Sequence, residues 1–128
     1  MTAAENAINW FEISVNDIAR AKKFYEKILA VKLQSMDMGG GIVMEMFPSE
    51  DGNGKVSGAL CKGPDNKPSA DGARIYLNAN PDMAPILDRV KAAGGEVIMP
   101  KTDIGSGFGF MGFFMDTEGN VVGLHSNG

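Results

Sequence analysis

Polar and aromatic side chains recur at every second position in two short segments of the sequence. The first segment carries Trp10 and Glu12, and the second carries Arg74, Tyr76 and Asn78. Because side chains alternate along a strand, each set should lie on one face. A carboxylate there can act as a general base, and a guanidinium can bind a carboxylate or a phosphate through paired hydrogen bonds. These five residues are therefore predicted to bind a ligand.

Each of these side chains also has a structural interpretation. Trp10 and Arg74 can form a cation–π pair in the core, or they can form an apolar wall beside an anion-binding group; the sequence favours neither. Glu12 paired with a cation such as Arg74 is favoured over Glu12 as a desolvated general base with a raised pKa. Tyr76 and Asn78 can position a polar ligand or be satisfied polar residues at a seam between strands.

The chain contains one histidine, His125, and one cysteine, Cys61. His125 shares a strand face with Gly123 and can reach the same ligand, so His125 and Glu12 are the two candidates for proton transfer. A single histidine is a weak signal for a metal site, since zinc and related ions need several imidazole, carboxylate or thiolate ligands. Cys61 is predicted to be a small buried hydrophobe. A lone cysteine excludes an internal disulfide and fits a reducing cytoplasm.

The composition is typical of one ordinary globular domain, with 128 residues, 44% hydrophobic and 22% charged. A net charge of −4 gives no basic surface for nucleic acid. No apolar run approaches the roughly 20 residues of a membrane helix, and the first residues do not resemble a secretory signal. We therefore expect a cytoplasmic protein with a small-molecule ligand and no nucleic-acid or membrane partner. A homodimer is expected because dimers are the commonest assembly of small proteins.

The elements that position these residues form two similar halves, each with one strand, one helix and three further strands. The first helix starts at Asn16 or Asp17, and its apolar residues recur at helical spacing. The second starts near Ala84, because Pro85 is tolerated only in a first turn. The predicted strands are 8–15, 31–36, 42–47 and 55–61 in the first half and 73–79, 96–101, 108–115 and 120–126 in the second. The prediction is a single α+β domain, 1–128, with βαβββ modules at 7–62 and 73–127 and a linker at 63–72.

Three passages give the chain a resemblance to a known superfamily. They are Ile13-Ser14-Val15-Asn16-Asp17 followed by Arg20-Ala21 and Phe24-Tyr25, then Ala92-Ala93-Gly94-Gly95, and then Phe114-Met115-Asp116-Thr117-Glu118-Gly119-Asn120. With these motifs the chain resembles the vicinal oxygen chelate superfamily of glyoxalases, extradiol dioxygenases and bleomycin-resistance-type binding proteins. Thr117 departs from the proline that is common there. The resemblance implies two βαβββ modules that form a curved mixed sheet around a central cavity.

In the metal-dependent members of that superfamily, each module supplies one ligand from its first strand and one from its last. The resemblance places the first-strand ligands at Trp10 and Arg74. It places the last-strand ligands at Gly123 and at Gly58 or Ala59. None of these side chains is a suitable metal ligand, and an arginine would oppose a cation. The resemblance therefore implies that the usual metal site is absent, and no cofactor is predicted.

The resemblance allows two functions. The favoured one is a glyoxalase/bleomycin-resistance-like protein that binds a small molecule, with an anion preferred, between the modules and without the metal. The alternative is a glyoxalase-like lyase or isomerase, or a dioxygenase-related enzyme, in which Glu12 or His125 transfers a proton. Resemblance in fold does not decide between them, because function depends on the site. The predicted ligand-binding residues are Trp10, Glu12, Arg74, Tyr76, Asn78 and His125.

Overall fold

The computed structural model of the chain describes residues 1–50 and 54–128. The first module comprises β1 (Trp10–Ser14), α1 (Ile18–Leu29), β2 (Gln34–Gly39), β3 (Ile42–Met46) and β4 (Ser57–Lys62). The second comprises β5 (Tyr76–Asn78), α2 (Ala84–Val90), β6 (Glu96–Asp103), β7 (Phe110–Met115) and β8 (Val121–Ser126). The predicted α+β class and the two βαβββ modules are confirmed.

Each module folds its strands into one four-stranded mixed sheet. The strand order is β1-β4-β3-β2 in the first sheet and β5-β8-β7-β6 in the second. The first strand of each module pairs in parallel with the last, and the remaining pairs are antiparallel. The two halves are thus a repeat in architecture, although their sequences differ. Within the described residues, neither helix is long and apolar enough to cross a membrane.

Helix α1 is defined by an apolar stripe and by its two ends. Its buried residues follow the three- and four-residue spacing of one helix face: Ala21, Phe24, Tyr25 and Ile28. The Asp17 carboxylate accepts a hydrogen bond from the Arg20 amide at 3.0 Å, which satisfies one of the free amides of the first turn. After the helix, Ala30 adopts the left-handed conformation, and its amide bonds back to the Glu26 carbonyl.

The faces of the two sheets that pack against the helices, which we call the inner faces, share one hydrophobic core with the helices. The Tyr25 ring of α1 lies 5.8 Å from the Phe47 ring beside β3 and 6.1 Å from the Phe114 ring of β7. Ile13 and Leu77 face this core and are only 5% and 8% exposed, so the strand register predicted from the alternation is confirmed. The opposite side of each sheet is its outer face.

Some strands begin later in the chain than the alternation predicts. β2 begins at Gln34, because the Glu26 carboxylate accepts the Leu33 amide at 2.8 Å and holds the preceding residues against α1. β5 begins only at Tyr76, since it follows the linker directly and has a single strand neighbour, β8. Arg74 therefore precedes β5 instead of lying within it. The second helix starts at Ala84, as predicted from Pro85.

The turn between β7 and β8 ties the second module to the first through a buried carboxylate, Asp116. Its oxygens accept hydrogen bonds from the Tyr25 hydroxyl at 2.7 Å, from the amides of Glu118 and Asn120 at 2.8 and 2.9 Å, and from the Asn120 side-chain amide at 3.0 Å. Asn120 also donates to the Ser14 carbonyl at 2.8 Å. Burial, and after it the Asp116 charge, raises the pKa of the Tyr25 hydroxyl well above its usual value, so the hydroxyl stays protonated and keeps donating.

Glu118, two residues further on, lies at the amino end of α1. Its Oε1 accepts the amides of Asn16 and Asp17 at 2.9 and 2.7 Å. Its Oε2 accepts Arg20 Nε at 2.6 Å and the Thr117 hydroxyl at 3.0 Å. Burial alone would raise the pKa of this carboxyl, but the hydrogen bonds outweigh burial and lower it to about 2. The Thr117 hydroxyl is thus a hydrogen-bond donor to Glu118. Proline, which is common at this position in the superfamily that the sequence resembles, has no such donor.

Candidate functional site

Five residues on the outer side of the second sheet form a surface that we call the Arg74 face: Arg74, Tyr76, Phe113, Gly123 and His125. Tyr76 pairs with Gly123, and Gly123 with Phe113, so these three stand in one row across β5, β8 and β7. The Arg74 guanidinium carbon lies 4.3 Å from the centre of the Phe113 ring. The Tyr76 and Phe113 ring centres are 5.9 Å apart, with the planes at 64°. The face therefore combines one cation with two aromatic rings.

Gly123 provides the space that the Tyr76 ring occupies. A Cβ at position 123 would lie 2.6 Å from Tyr76 Cδ1, which is closer than carbon atoms approach without a bond. No larger residue fits at position 123 while the ring keeps its place. The resemblance described above implies a metal-ligating residue at this position, and the Tyr76 ring leaves no room there for such a side chain.

The other inherited ligand positions do not fit a metal either. A Cβ at Gly58 would lie 2.6 Å from Phe11 Cδ1, and Ala59 is buried and aliphatic. Trp10 offers only an N–H donor, and Arg74 a fixed positive charge. Among residues 1–50 and 54–128, no three His, Cys, Asp or Glu side chains are gathered so that they could hold a metal ion. The residues present do not fit the metal that the fold family implies.

Trp10 and Glu12 lie on the outer face of the first sheet, where Glu12, Ala59 and Met46 form one row. The Trp10 indole N–H donates to Glu12 Oε2 at 3.2 Å. The sequence names Arg74 as one cation that could pair with Glu12, but the two residues belong to different modules and no ion pair joins them among the described residues. In the part of the chain that the structure describes, none of the ion pairs involves Arg74.

A cleft of about 200 Å³ opens where the first sheet meets the linker and the second module. Glu12 and Ser14 of β1 line one side, and Lys67 of the linker and Asn120 line the other. Glu12 therefore lies beside the linker and the start of β8 at this cleft. Arg74 does not line the cleft.

His125 lies on the Arg74 face beside the glycine-rich loop that precedes β7. Its Nε2 is 2.8 Å from the Phe108 carbonyl oxygen, and the Phe108 side chain is 67% exposed. Asn78 pairs with His125 across β5 and β8. The Asn78 side chain accepts the Asn80 amide at 2.9 Å and thereby closes a turn. Asn78 consequently has a structural role in addition to any contact with a ligand.

The structure divides the six predicted site residues between two surfaces. The second sheet and its approach carry Arg74, Tyr76, Asn78 and His125, whereas the first sheet carries Trp10 and Glu12. The sequence reasoning omits Phe113, which contacts both Arg74 and Tyr76. The sequence does contain a signal for Phe113, because side chains alternate along β7 and place Met111, Phe113 and Met115 on one face. Only the pairing of Phe113 with Gly123 shows that this face is the one that carries Arg74.

Cys61 lies on the outer side of β4 and is 2% exposed, which confirms the predicted buried position. Its thiol is 3.4 Å from Asn66 Oδ1, and Asn66 also donates to the Ser14 hydroxyl at 3.3 Å. Burial, and after it the charge of Glu12, raises the pKa of the Cys61 thiol. A thiol with a raised pKa is a poor nucleophile, so Cys61 is a packing residue.

Comparison with known proteins identifies the family. The model of the Glyoxalase/Bleomycin resistance protein/Dioxygenase superfamily matches residues 7–124. The chain belongs to this superfamily. CFP32 of Mycobacterium tuberculosis, whose name marks it as a candidate glyoxylase, is 33% identical over 120 residues, and the same holds for CFP32 of Mycobacterium bovis. The match covers 91% of this chain and 44% of CFP32, so the superfamily member described here spans less than half the length of those relatives.

Solved structures of the superfamily share the fold. TnmS3, an antibiotic binding protein from Streptomyces sp. CB03234, matches with a TM-score of 0.66 and 23% identity over 98% of both chains. Glyoxalase I from Zea mays matches with a TM-score of 0.67 and 20% identity over 93% of this chain and 45% of its own. The glyoxalase-like fold implied by the sequence motifs is thus confirmed.

Proposed function

We propose that this superfamily member binds a small anionic molecule on the Arg74 face and does so without a metal ion. The observation that carries the proposal is the Tyr76 ring packed on Gly123, because a side chain at position 123, where the resemblance implies a metal ligand, would collide with that ring. Arg74 stands at a second inherited ligand position and supplies a fixed positive charge there. A carboxylate or phosphate group is the complementary partner of that charge.

The geometry of Arg74 supports this choice of ligand. The Arg74 guanidinium carbon lies over the Phe113 ring, and the N–H donors of the group radiate from its edge. Among the described residues, no Asp or Glu carboxylate lies within 4.0 Å of these donors. An anionic ligand would supply the missing acceptors through two parallel hydrogen bonds.

We infer that a second copy of the chain completes the site. Trp10 on one outer face is 44% exposed and Tyr76 on the other is 50% exposed, which is typical of surfaces that bind a ligand or a partner. If the first outer face of one copy covers the Arg74 face of another, Trp10 and Glu12 face Arg74 and Tyr76 across a cavity that leaves room for the ligand, and this cavity forms twice in a symmetric dimer. Sedimentation velocity should then give the mass of two chains for the native protein and the mass of one chain for the Trp10→Glu variant. A native chain that sediments as a monomer at every concentration would contradict the inference.

A thermal-shift screen of small acids, thiol adducts and aromatic metabolites tests the proposed function. We expect Arg74→Ala to weaken a carboxylate ligand from this screen by about 2–3 kcal/mol, which is more than tenfold in affinity. Arg74→Lys should recover only part of the loss, because an ammonium lacks the planar fork. Lys23→Ala is the matched control, since it removes one positive charge from an exposed position on α1. Unchanged affinity with a lower melting temperature in Arg74→Ala would show that Arg74 is structural.

The same screen controls for a metal. The rise in melting temperature that a ligand causes should be the same before and after dialysis of the protein against a chelator. It should also be the same with and without added divalent ions. Elemental analysis of the dialysed protein should find less than about one-tenth equivalent of any transition metal, because the inherited positions carry no suitable ligands. Near-stoichiometric zinc, nickel or iron that a chelator removes together with ligand binding would contradict metal-free binding.

A further inference from the structure

We infer that the Arg74 face selects anions whose charged group is attached to a flat aromatic ring. This inference rests on the proposed function, since it assumes that Arg74 binds the anionic group. It goes further by assigning a chemical class to the rest of the ligand. The observations that carry it are the orientation of the Tyr76 ring and the position of the guanidinium beside it.

The Tyr76 ring lies with one side against the backbone of β8. A Cβ at Gly123 would meet Tyr76 Cδ1, Cε1 and Cγ at 2.6, 2.8 and 3.0 Å. Three neighbouring ring atoms at nearly equal distances mean that position 123 approaches the flat side of the ring and not its edge. Because Gly123 covers one side, the opposite side faces outward, which agrees with the 50% exposure of Tyr76. The ring is thus a platform on which a second aromatic ring can stack.

Phe113 holds the cation next to this platform. The Arg74 guanidinium carbon lies 4.3 Å from the centre of the Phe113 ring. The centre of the Tyr76 ring lies 5.9 Å from the centre of the same Phe113 ring. Since Arg74 occupies the flat side of Phe113, the exposed side of Tyr76 is the surface that remains for the ligand. An aromatic acid can stack there and still place its carboxylate on the guanidinium edge. A saturated acid of the same size would gain the ion pair without the aromatic contact.

Two acids with the same carbon skeleton test the inference, 2-naphthoate and decahydro-2-naphthoate. Titrated into the native protein and followed by NMR, 2-naphthoate should bind about three- to tenfold more tightly, the usual gain from one aromatic pair. Tyr76→Leu should abolish the preference, and Tyr76→Phe, which keeps the ring, should retain it. Arg74→Ala should weaken both acids more than tenfold. Melting temperatures of all variants check that each is folded.

The outcomes separate this inference from the function on which it rests. Equal affinity for the two acids, with both dependent on Arg74, would overturn the aromatic preference and leave the anion site supported. A preference that survives Tyr76→Leu would also overturn it, because the stacking would then occur elsewhere. Failure of both acids to bind, while other anions from the screen bind through Arg74, would overturn the ligand class alone. Aromatic binding that does not depend on Arg74 would refute the proposed anion site itself.

Discussion

Replacement of Asp116 by alanine is expected to lower the free energy of unfolding by about 4 kcal/mol, with a fall in melting temperature of roughly 15 °C. The Asp116 carboxylate accepts four hydrogen bonds at 2.7–3.0 Å and is buried. Its removal leaves the Tyr25 hydroxyl of α1 and the amides of the β7–β8 turn without an acceptor in a place that water does not reach. Unsatisfied buried donors cost more than the bonds themselves contribute, so the effect exceeds that of a simple cavity.

Urea denaturation of the native chain and three variants measures this effect. Asp88→Ala is the matched control, because Asp88 is an exposed aspartate of α2 and its loss should change stability by no more than about 0.5 kcal/mol. Tyr25→Phe removes one of the four donors and should cost about 2 kcal/mol. If Asp116→Ala proved no more destabilising than Asp88→Ala, the buried network would not be what joins the β7–β8 turn to α1.

Acidification is expected to remove up to about 3 kcal/mol of stability through Glu118 alone. The pKa of this carboxyl is lowered from 4.5 to about 2 in the folded chain. The folded state therefore binds the proton more weakly than the unfolded state does. Its contribution to stability is complete above the unfolded pKa of 4.5 and is lost as the pH falls from there towards 2. The cause is the set of four donors at the amino end of α1 and in the turn, which favour an ionised carboxylate.

Glu118→Gln isolates this contribution, since glutamine keeps the shape and removes the charge. We expect the variant to be less stable at neutral pH and the difference from the native chain to shrink as the pH is lowered, as measured by urea denaturation at a series of pH values. Glu96→Gln is the control, because Glu96 is exposed at the start of β6 and its difference should stay near zero throughout. A Glu118→Gln difference that stays constant with pH would mean that the charge of Glu118 does not stabilise the fold.

The sequence by itself determined the elements and their inner faces. The apolar stripe of α1 and the alternation in β1 and around β5 predict which residues face the helices, and Ile13, Phe24 and Leu77 are buried accordingly. These patterns are local, because burial requires an apolar residue at each core-facing position of a helix or a strand. The motif from Phe114 to Asn120 likewise indicated the superfamily, and the structure shows its physical basis in the hydrogen bonds of Asp116, Glu118 and Asn120.

The absence of suitable metal ligands at Trp10, Arg74 and Gly123 was also readable from the sequence, since it depends only on side-chain chemistry. Which site residues meet was decided by the tertiary structure. Alternation assigns Glu12 and Arg74 each to a strand face, but it carries no information on whether two sheets turn those faces together or apart. The inner faces of both sheets form one core with the helices. The Arg74 guanidinium lies over the Phe113 ring of its own module, and no ion pair joins it to Glu12 among the described residues. That choice is made by packing between distant segments, which no local pattern contains.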